Sequence, residues 1–291
     1  IENINSKFLF KQTSNKIFFL AWTTTPWTLP SNTALAVGGR IKYLLIETIN
    51  QYTGRLISVV IAKDLAAKYF YSENTKLQFK DYITGEKNLP FKIISEFTGE
   101  KLQEIRYEQL LKYAKPKDGD AFKVLLADFV TTEDGTGIVH LAPSFGADDN
   151  RVAKQNGIGS LTLVNKRGQF IDKVTDFSGM YVKNEFYETK EKKPKLSADI
   201  QIVIKLKKEN RCFQSEKYEH SYPHCWRTDK PILYYPIDSW FVKTTDYKKQ
   251  MIKLNKTINW KPKSTGEGRF GKWLENLVDW NLSRSRFWGI P

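Results

Sequence analysis

Apolar residues in the first half of the chain come in short runs rather than at helical spacing. Lys16 to Trp22 is one such run, of the kind a strand buried on both faces requires. Tyr43 to Thr48 and Leu56 to Ile61 are two more, and Gln51-Tyr52-Thr53-Gly54 between them has the chemistry of a hairpin loop. Ala121 to Thr131 reads as a strand, Asp134-Gly135 as a tight turn, and Ile138 to Leu141 as the strand that follows. Two helical segments interrupt this pattern. Asp64 to Tyr71 fits two turns with Asp64 as N-cap. Ala147 to Gln155 has acids in its first turn and Gly157 just past its end. Near Thr189 the pattern changes: Lys190 to Lys195 is a charged stretch with a proline, and beyond it helices are expected at 197–210, 245–254 and 268–278, with extended proline-containing segments between them. The expected fold is mainly β with peripheral helices (α+β). A strand-rich domain spans 1–189, and a helical and extended segment spans 190–291.

Composition narrows the function classes. Hydrophobic residues make up 41% of the 291 and charged residues 27%, which excludes a disordered polymer. The formal net charge of +14 points to a polyanionic partner, nucleic acid before membrane. No apolar stretch approaches the ~20 residues of a membrane helix. The two cysteines, Cys212 and Cys225, are too few for a disulfide framework, so a reducing, cytoplasmic compartment is expected. A chain that starts at Ile1 reads as a piece of a longer one.

Several motifs carry little chemistry. Gly266 to Gly271 matches G-x-G-x-x-G but follows no strand, so a loop entering a helix is expected and not a dinucleotide site. Cys212, His220, His224 and Cys225 lack zinc-ligand spacing, and no metal is expected. There is no nucleophile elbow and no P-loop.

Two segments stand apart. Trp22 to Asn32 follows a buried strand and holds Thr23, Thr24, Thr25 and Thr28, with Pro26 and Pro30 stiffening the bend. Proline ends ladder pairing, so the hydroxyls read equally as a ligand-facing surface or as a structural loop. In Gly135 to Asp149, paired glycines permit close backbone approach, His140 sits at a strand end, and Asp148 and Asp149 fall in a first helical turn. One acid there suffices for capping, which leaves the other available for a cation.

Together, T-T-T-P-W-T-L-P-S-N at 23–32 and G-T-G-I-V-H-x-A-P-x-F-G-x-D-D at 135–149 resemble the editing domain inserted in isoleucyl-tRNA synthetases. Tyr222 to Arg227 and Trp280 to Gly289 resemble the same family, where the chain returns toward the nucleotide-binding core. Valyl and leucyl relatives typically carry T-T-R-P followed by an acid and lack the histidine, so Trp27 and His140 argue against them. The resemblance implies a β-barrel-like editing fold that removes valine from tRNA(Ile) by ester hydrolysis. Binding distinguishes one methylene by only about 1–3 kcal/mol, and isoleucyl-tRNA synthetase is itself the standard illustration of that limit and of its remedy, a second hydrolytic sieve.

The resemblance further implies roles for individual residues. Thr23 and Thr25 serve the reacting ester and its water, and Thr24 assists. Asn32 shapes the pocket or holds the terminal adenosine, and Trp27 packs near the mouth or helps guide the tRNA end. Asp149 pairs with the substrate α-ammonium. His140 lines the pocket, with general base as an alternative role. Editing needs no cofactor. ATP and Mg serve the synthetic site of the parent, whose H-x-G-H and K-M-S-K-S signatures are absent here. The implied partners are the 3′ end of tRNA(Ile) carrying valine, with Arg40, Lys42, Arg151 and Lys154 as candidate phosphate contacts, and the remainder of the parent synthetase. A non-catalytic tRNA-binding module is the competing expectation.

Overall fold

The computed structural model describes residues 6–189 and 191–284. Its chain divides into two compact units, 1–235 and 236–291.

The larger unit is built on two sheets. Strands β1 (Ile17–Phe19), β2 (Ala34–Val37), β3 (Lys42–Ile49), β4 (Leu56–Ala62), β5 (Phe91–Thr98), β6 (Lys123–Leu126) and β7 (Ile138–Leu141) are divided between them. The first sheet has the order β1-β4-β3-β5 and the second β6-β2-β7. β3 and β4 form the expected hairpin, in the register Leu45 opposite Val60. Both strands are almost wholly buried, which is why their apolar runs are continuous. The connecting loop closes through Asn50, whose side-chain oxygen accepts the Tyr52 N–H at 2.9 Å. Gly54 takes φ +66° there, a value that glycine adopts without strain.

The two sheets share a core. Leu35, Val37, Tyr43, Leu45, Val60, Phe97, Val124 and Ile138, drawn from both, pack in one buried cluster. They also meet at an edge just beyond β1, where Trp22 bridges Val139 of β7 and Ala62 N–H donates to the Thr136 carbonyl at 3.0 Å. The polypeptide between β1 and β2, which carries the threonines, is thus held by both sheets.

Among the described residues there are six α-helices: α1 (Lys7–Phe10), α2 (Lys63–Ala66), α3 (Ala147–Gln155), α4 (Ala198–Lys208), α5 (Lys248–Asn255) and α6 (Phe270–Glu275). α3 occupies the expected residues. α4 starts where expected, with the Ser197 hydroxyl accepting the Ile200 N–H at 3.4 Å. α2 is a single turn capped at Ala62, and Asp64 lies inside it, not at its N-cap. The strand expected over 121–131 is only four residues long: Ala127 still donates to the Val37 carbonyl at 3.0 Å, and the chain turns at Asp128 and Phe129.

The boundary expected at 189/190 does not coincide with the division at 235/236. α4 buries Ala198, Ile202 and Leu206 in a cluster with Trp27, Leu161, Leu163 and Phe170, which ties the segment after 190 to the larger unit. The smaller unit contains α5, α6 and a two-strand ladder of β8 (Phe241–Val242) and β9 (Trp280–Asn281). Gly266 of the G-x-G-x-x-G run lies against the Trp260 indole, so close that a Cβ would collide with the ring. This glycine serves packing. Residues 285–289 of the 280–289 motif lie outside the described residues.

Candidate functional site

The threonine segment ends in a short 3-10 helix, Pro26–Ser31, of two turns. Pro26 supplies the fixed φ that suits a first helical position. Thr23 Oγ1 accepts the Thr25 N–H at 3.0 Å, a local bond typical of threonine before a turn, and the two hydroxyls stand 3.4 Å apart. Trp27, Thr28, Pro30 and Ser31 are buried, whereas Thr23, Thr24 and Thr25 are half-buried.

The turn stands between two cavities. The larger, about 590 Å³, is lined by Thr23, Thr24, Pro26, Asn32, Tyr107, Thr136, His140 and Asp199, together with β1 and one side of α4. The smaller, about 330 Å³, is lined by Thr25, Trp27 and Thr28 together with Phe145, Tyr222, Pro223, Ile232, Leu233 and Tyr234. Three neighbouring threonines are therefore shared between two spaces. Trp27 packs edge-on against Phe145, with ring centroids 4.9 Å apart, and its indole N–H is buried without a hydrogen-bond partner.

A buried polar chain joins the threonine turn to the loop 135–149. The Asn32 side-chain amide faces the carbonyls of Ala34 at 2.8 Å and Leu141 at 3.3 Å. Carbonyls only accept, so this end of the amide is the NH₂ group. The same nitrogen lies 3.2 Å from His140 Nδ1, which must then be the unprotonated acceptor. Nε2 carries the proton and donates to Thr28 Oγ1 at 2.8 Å, and Thr28 donates its own hydrogen to the Thr25 carbonyl at 2.9 Å. At the other end, Tyr107 donates to Asn32 Oδ1 at 2.7 Å. Each donor in the sequence Tyr107, Asn32, His140, Thr28, Thr25 faces an acceptor. Burial alone depresses the His140 pKa to about 4, so the ring is neutral at physiological pH.

The acids are placed differently from one another. Asp148 is exposed and pairs with Arg151 at 2.9 Å. Asp149 turns back on its own loop and accepts the Ala142 N–H at 2.8 Å. Burial pushes its carboxyl above the usual range. Gly146 leaves room for it, since a Cβ there would stand 2.8 Å from the Asp149 carboxyl carbon. Asp149 is not among the residues lining either cavity. The structure thus gathers Thr23, Thr24, Asn32 and His140 around the larger space and Thr25 and Trp27 around the smaller, and leaves Asp149 behind the loop that contributes Phe145. Asn32 spends both ends of its amide on protein partners, which makes it a structural member of the site.

Four residues were not anticipated in the sequence. Thr28 lies three positions after Thr25, and Tyr222 lies in the Y-P-H-C run, so both had local signals. Tyr107 and Asp199 had none, being 75 and 172 residues from the groups they contact.

Residues 24–291 match the tRNA synthetases of class I, the I, L, M and V group, and the chain belongs to that family. Its relatives within the family are isoleucine–tRNA ligases. That of Cytophaga hutchinsonii is 56% identical over 297 residues, covering 96% of this chain and 27% of the relative. That of Bacteroides fragilis is 52% identical over 300 residues, covering 94% and 26%. The chain spans about a quarter of the length of these curated relatives. Among solved structures, the cytosolic leucyl-tRNA synthetase editing domain of P. knowlesi is 19% identical, with a TM-score of 0.34 over 51% of this chain and 52% of that one.

Proposed function

We propose that this chain is the proofreading part of an isoleucine–tRNA ligase and hydrolyses the ester of valyl-tRNA(Ile). The parent enzyme ligates isoleucine to tRNA(Ile) with ATP at a site elsewhere in its sequence. The observation that carries the reading is the smaller cavity, about 330 Å³, whose lining joins Thr25, Trp27 and Thr28 of one motif to Phe145 of the other. His140 locks the two motifs together behind it.

An aminoacyl ester is already activated, so hydrolysis needs an oriented water and a polarised carbonyl more than it needs a protein nucleophile. The aromatic walls of Trp27, Phe145 and Tyr222 suit a short branched aliphatic side chain. Thr25, with the Thr23 hydroxyl 3.4 Å from its own, holds the ester and its water, and Thr24, which lines the larger cavity, assists through the shape of the turn. His140 is a neutral donor through Nε2 and fixes Thr28; it is not the general base. Asp149 accepts the Ala142 N–H outside both cavities, so its pairing with the substrate α-ammonium, a charge-assisted contact, requires the carboxylate to turn from its own loop toward the substrate. The exposed face of a chain carrying +14 meets the phosphates of the tRNA acceptor end.

The test is deacylation of valyl-tRNA(Ile) by the intact parent ligase carrying Thr25→Ala or Asp149→Ala. Loss of hydrolysis in both, with aminoacylation retained, is expected. Unchanged hydrolysis in both contradicts the assignment, and a wild-type enzyme that binds tRNA without hydrolysing the valyl ester would leave only a binding module.

A further inference from the structure

Beyond α4, residues 212–222 form neither helix nor strand, and among the described residues no backbone N–H or carbonyl of this stretch bonds to another backbone group. Side chains hold it instead, at two places. At its start the loop of the β3–β4 hairpin grips it. The Asn50 amide donates to the Cys212 carbonyl and the Gln51 amide to the Phe213 carbonyl, each at 2.9 Å. The Ser215 N–H donates to the Tyr52 hydroxyl at 3.1 Å, and the Phe213 ring packs on Phe70 with centroids 5.7 Å apart. Further on, the Tyr218 hydroxyl donates to Asp134 Oδ2 at 2.8 Å, and its ring meets the Trp22 ring edge-on at 5.2 Å. Asp134 Oδ1 accepts the Gly135 N–H at 2.8 Å. That amide, followed by Tyr218 itself, holds the carboxyl below the usual carboxylate range, so the phenol donates to an ionised acceptor.

Gln214, Ser215, Glu216 and Tyr218 are exposed to solvent and also line the larger cavity, which contains Thr23, Thr24 and His140. Residues that do both stand between that cavity and the water outside. A surface stretch without backbone hydrogen bonds opens at lower cost than the sheets beside it. Its two attachments are unequal: three hydrogen bonds and a packed ring at the hairpin loop, against a single phenol at the other end. We propose that residues 214–218 are a movable wall of the larger cavity, hinged at the β3–β4 loop and latched by Tyr218 on Asp134 and Trp22, and that release of this latch admits the aminoacylated end of tRNA to the threonine turn. Trp22 directly precedes Thr23, so the latch sits beside the turn it guards. The part played by tRNA rests on the proposed deacylase function; the latch does not.

The test uses the full-length parent ligase with Tyr218→Phe, which removes the latching hydroxyl, and Tyr218→Ala, which also takes the ring from Trp22. Tyr218 is 46% exposed, so neither change hollows the core. Cys212 lines the larger cavity and Cys225 lines neither, while both are half-buried. Alkylation by N-ethylmaleimide, read at each cysteine by peptide mass spectrometry, therefore separates opening of the wall from general loosening. Loss of one hydrogen bond is expected to speed Cys212 modification about fivefold, and Tyr218→Ala to speed it further, with Cys225 unchanged. An entry that is mostly closed weakens apparent affinity by its open fraction, so the KM for valyl-tRNA(Ile) should fall by a similar factor with kcat retained. Cys212 rates within about twofold of wild type in both variants, or equal acceleration at both cysteines, would overturn the movable wall. Faster Cys212 modification with an unchanged KM would overturn its part in tRNA entry. Wild-type enzyme inactive on valyl-tRNA(Ile) would remove the deacylase reading, and Cys212 modification would still decide the wall.

Discussion

His140 Nε2 stands 2.8 Å from the hydroxyl of Thr28, 112 residues away in sequence, and Asn32 occupies the other ring nitrogen. Because Asn32 must donate, the imidazole has one tautomer, and Thr28 must pass its own hydrogen on to the Thr25 carbonyl. A histidine so arranged is a strut between two loops. With its free lone pair filled by Asn32 and its pKa held near 4, it is a poor proton acceptor for water.

This placement makes stability depend on pH in a definite direction. The His140 pKa is near 6.5 when unfolded and about 4 when folded, so between those values the unfolded chain binds more protons. Stability is full above pH 6.5 and declines as pH falls toward 4, by about 3 kcal/mol in all. Asp149 and Asp199, raised by burial, act oppositely in the carboxylate range. Urea unfolding of wild type and His140→Gln at pH 7 and pH 4.5 isolates the histidine: the wild type should lose about 2–3 kcal/mol more than the variant. Equal losses would show that the ring is not held neutral.

Tyr107 completes the chain from the far side. Tyr107→Phe removes one hydroxyl and strands Asn32 Oδ1, on a side chain only 4% exposed. An orphaned buried acceptor costs about 1–3 kcal/mol, to be seen as a lowered urea midpoint with unchanged m-value. A variant as stable as wild type would mean that water replaces the phenol.

Gly146 offers a test of Asp149 that leaves the carboxylate chemistry intact. Its φ of −149° is ordinary extended backbone, so alanine there meets no dihedral penalty. The new methyl group would meet the Asp149 carboxyl carbon at 2.8 Å and push the side chain off the Ala142 N–H. Gly146→Ala in the parent ligase should slow valyl-tRNA(Ile) hydrolysis by tenfold or more, about 1.4 kcal/mol of lost orientation, while aminoacylation and circular dichroism stay unchanged. Undiminished hydrolysis would mean that the Asp149 position is immaterial.

What the sequence disclosed depended on where each contact lies along the chain. The hairpin of β3 and β4 was legible because both of its faces are buried and most of its positions are apolar. β5 was not, because Lys92, Ile93 and Glu96 are exposed between its buried ends and break the run. β2 was hidden by its brevity: Ala-Leu-Ala-Val directly after an irregular turn has four residues and a single β-branched one, Val37, to mark it. The site split along the same line. Threonines on a proline-stiffened bend and a histidine at a strand end carry local signals. Tyr107 and Asp199, like the division of the turn between two cavities, are products of tertiary packing, and nothing within ten residues of either announces it. The helix of α4 was visible, but not that it would carry the chain after 190 back against Trp27.

The central claim is that the smaller cavity, not the larger one, receives the aminoacyl group. A non-hydrolysable valyl amide of 3′-amino-adenosine, titrated into the parent ligase with its tryptophan indole protons followed by NMR, tests it directly. The Trp27 N–H, buried and without a partner, should shift on binding, and Thr28→Val should weaken that binding. Shifts confined to residues lining only the larger cavity, such as Trp22, with Trp27 unmoved, would contradict the account.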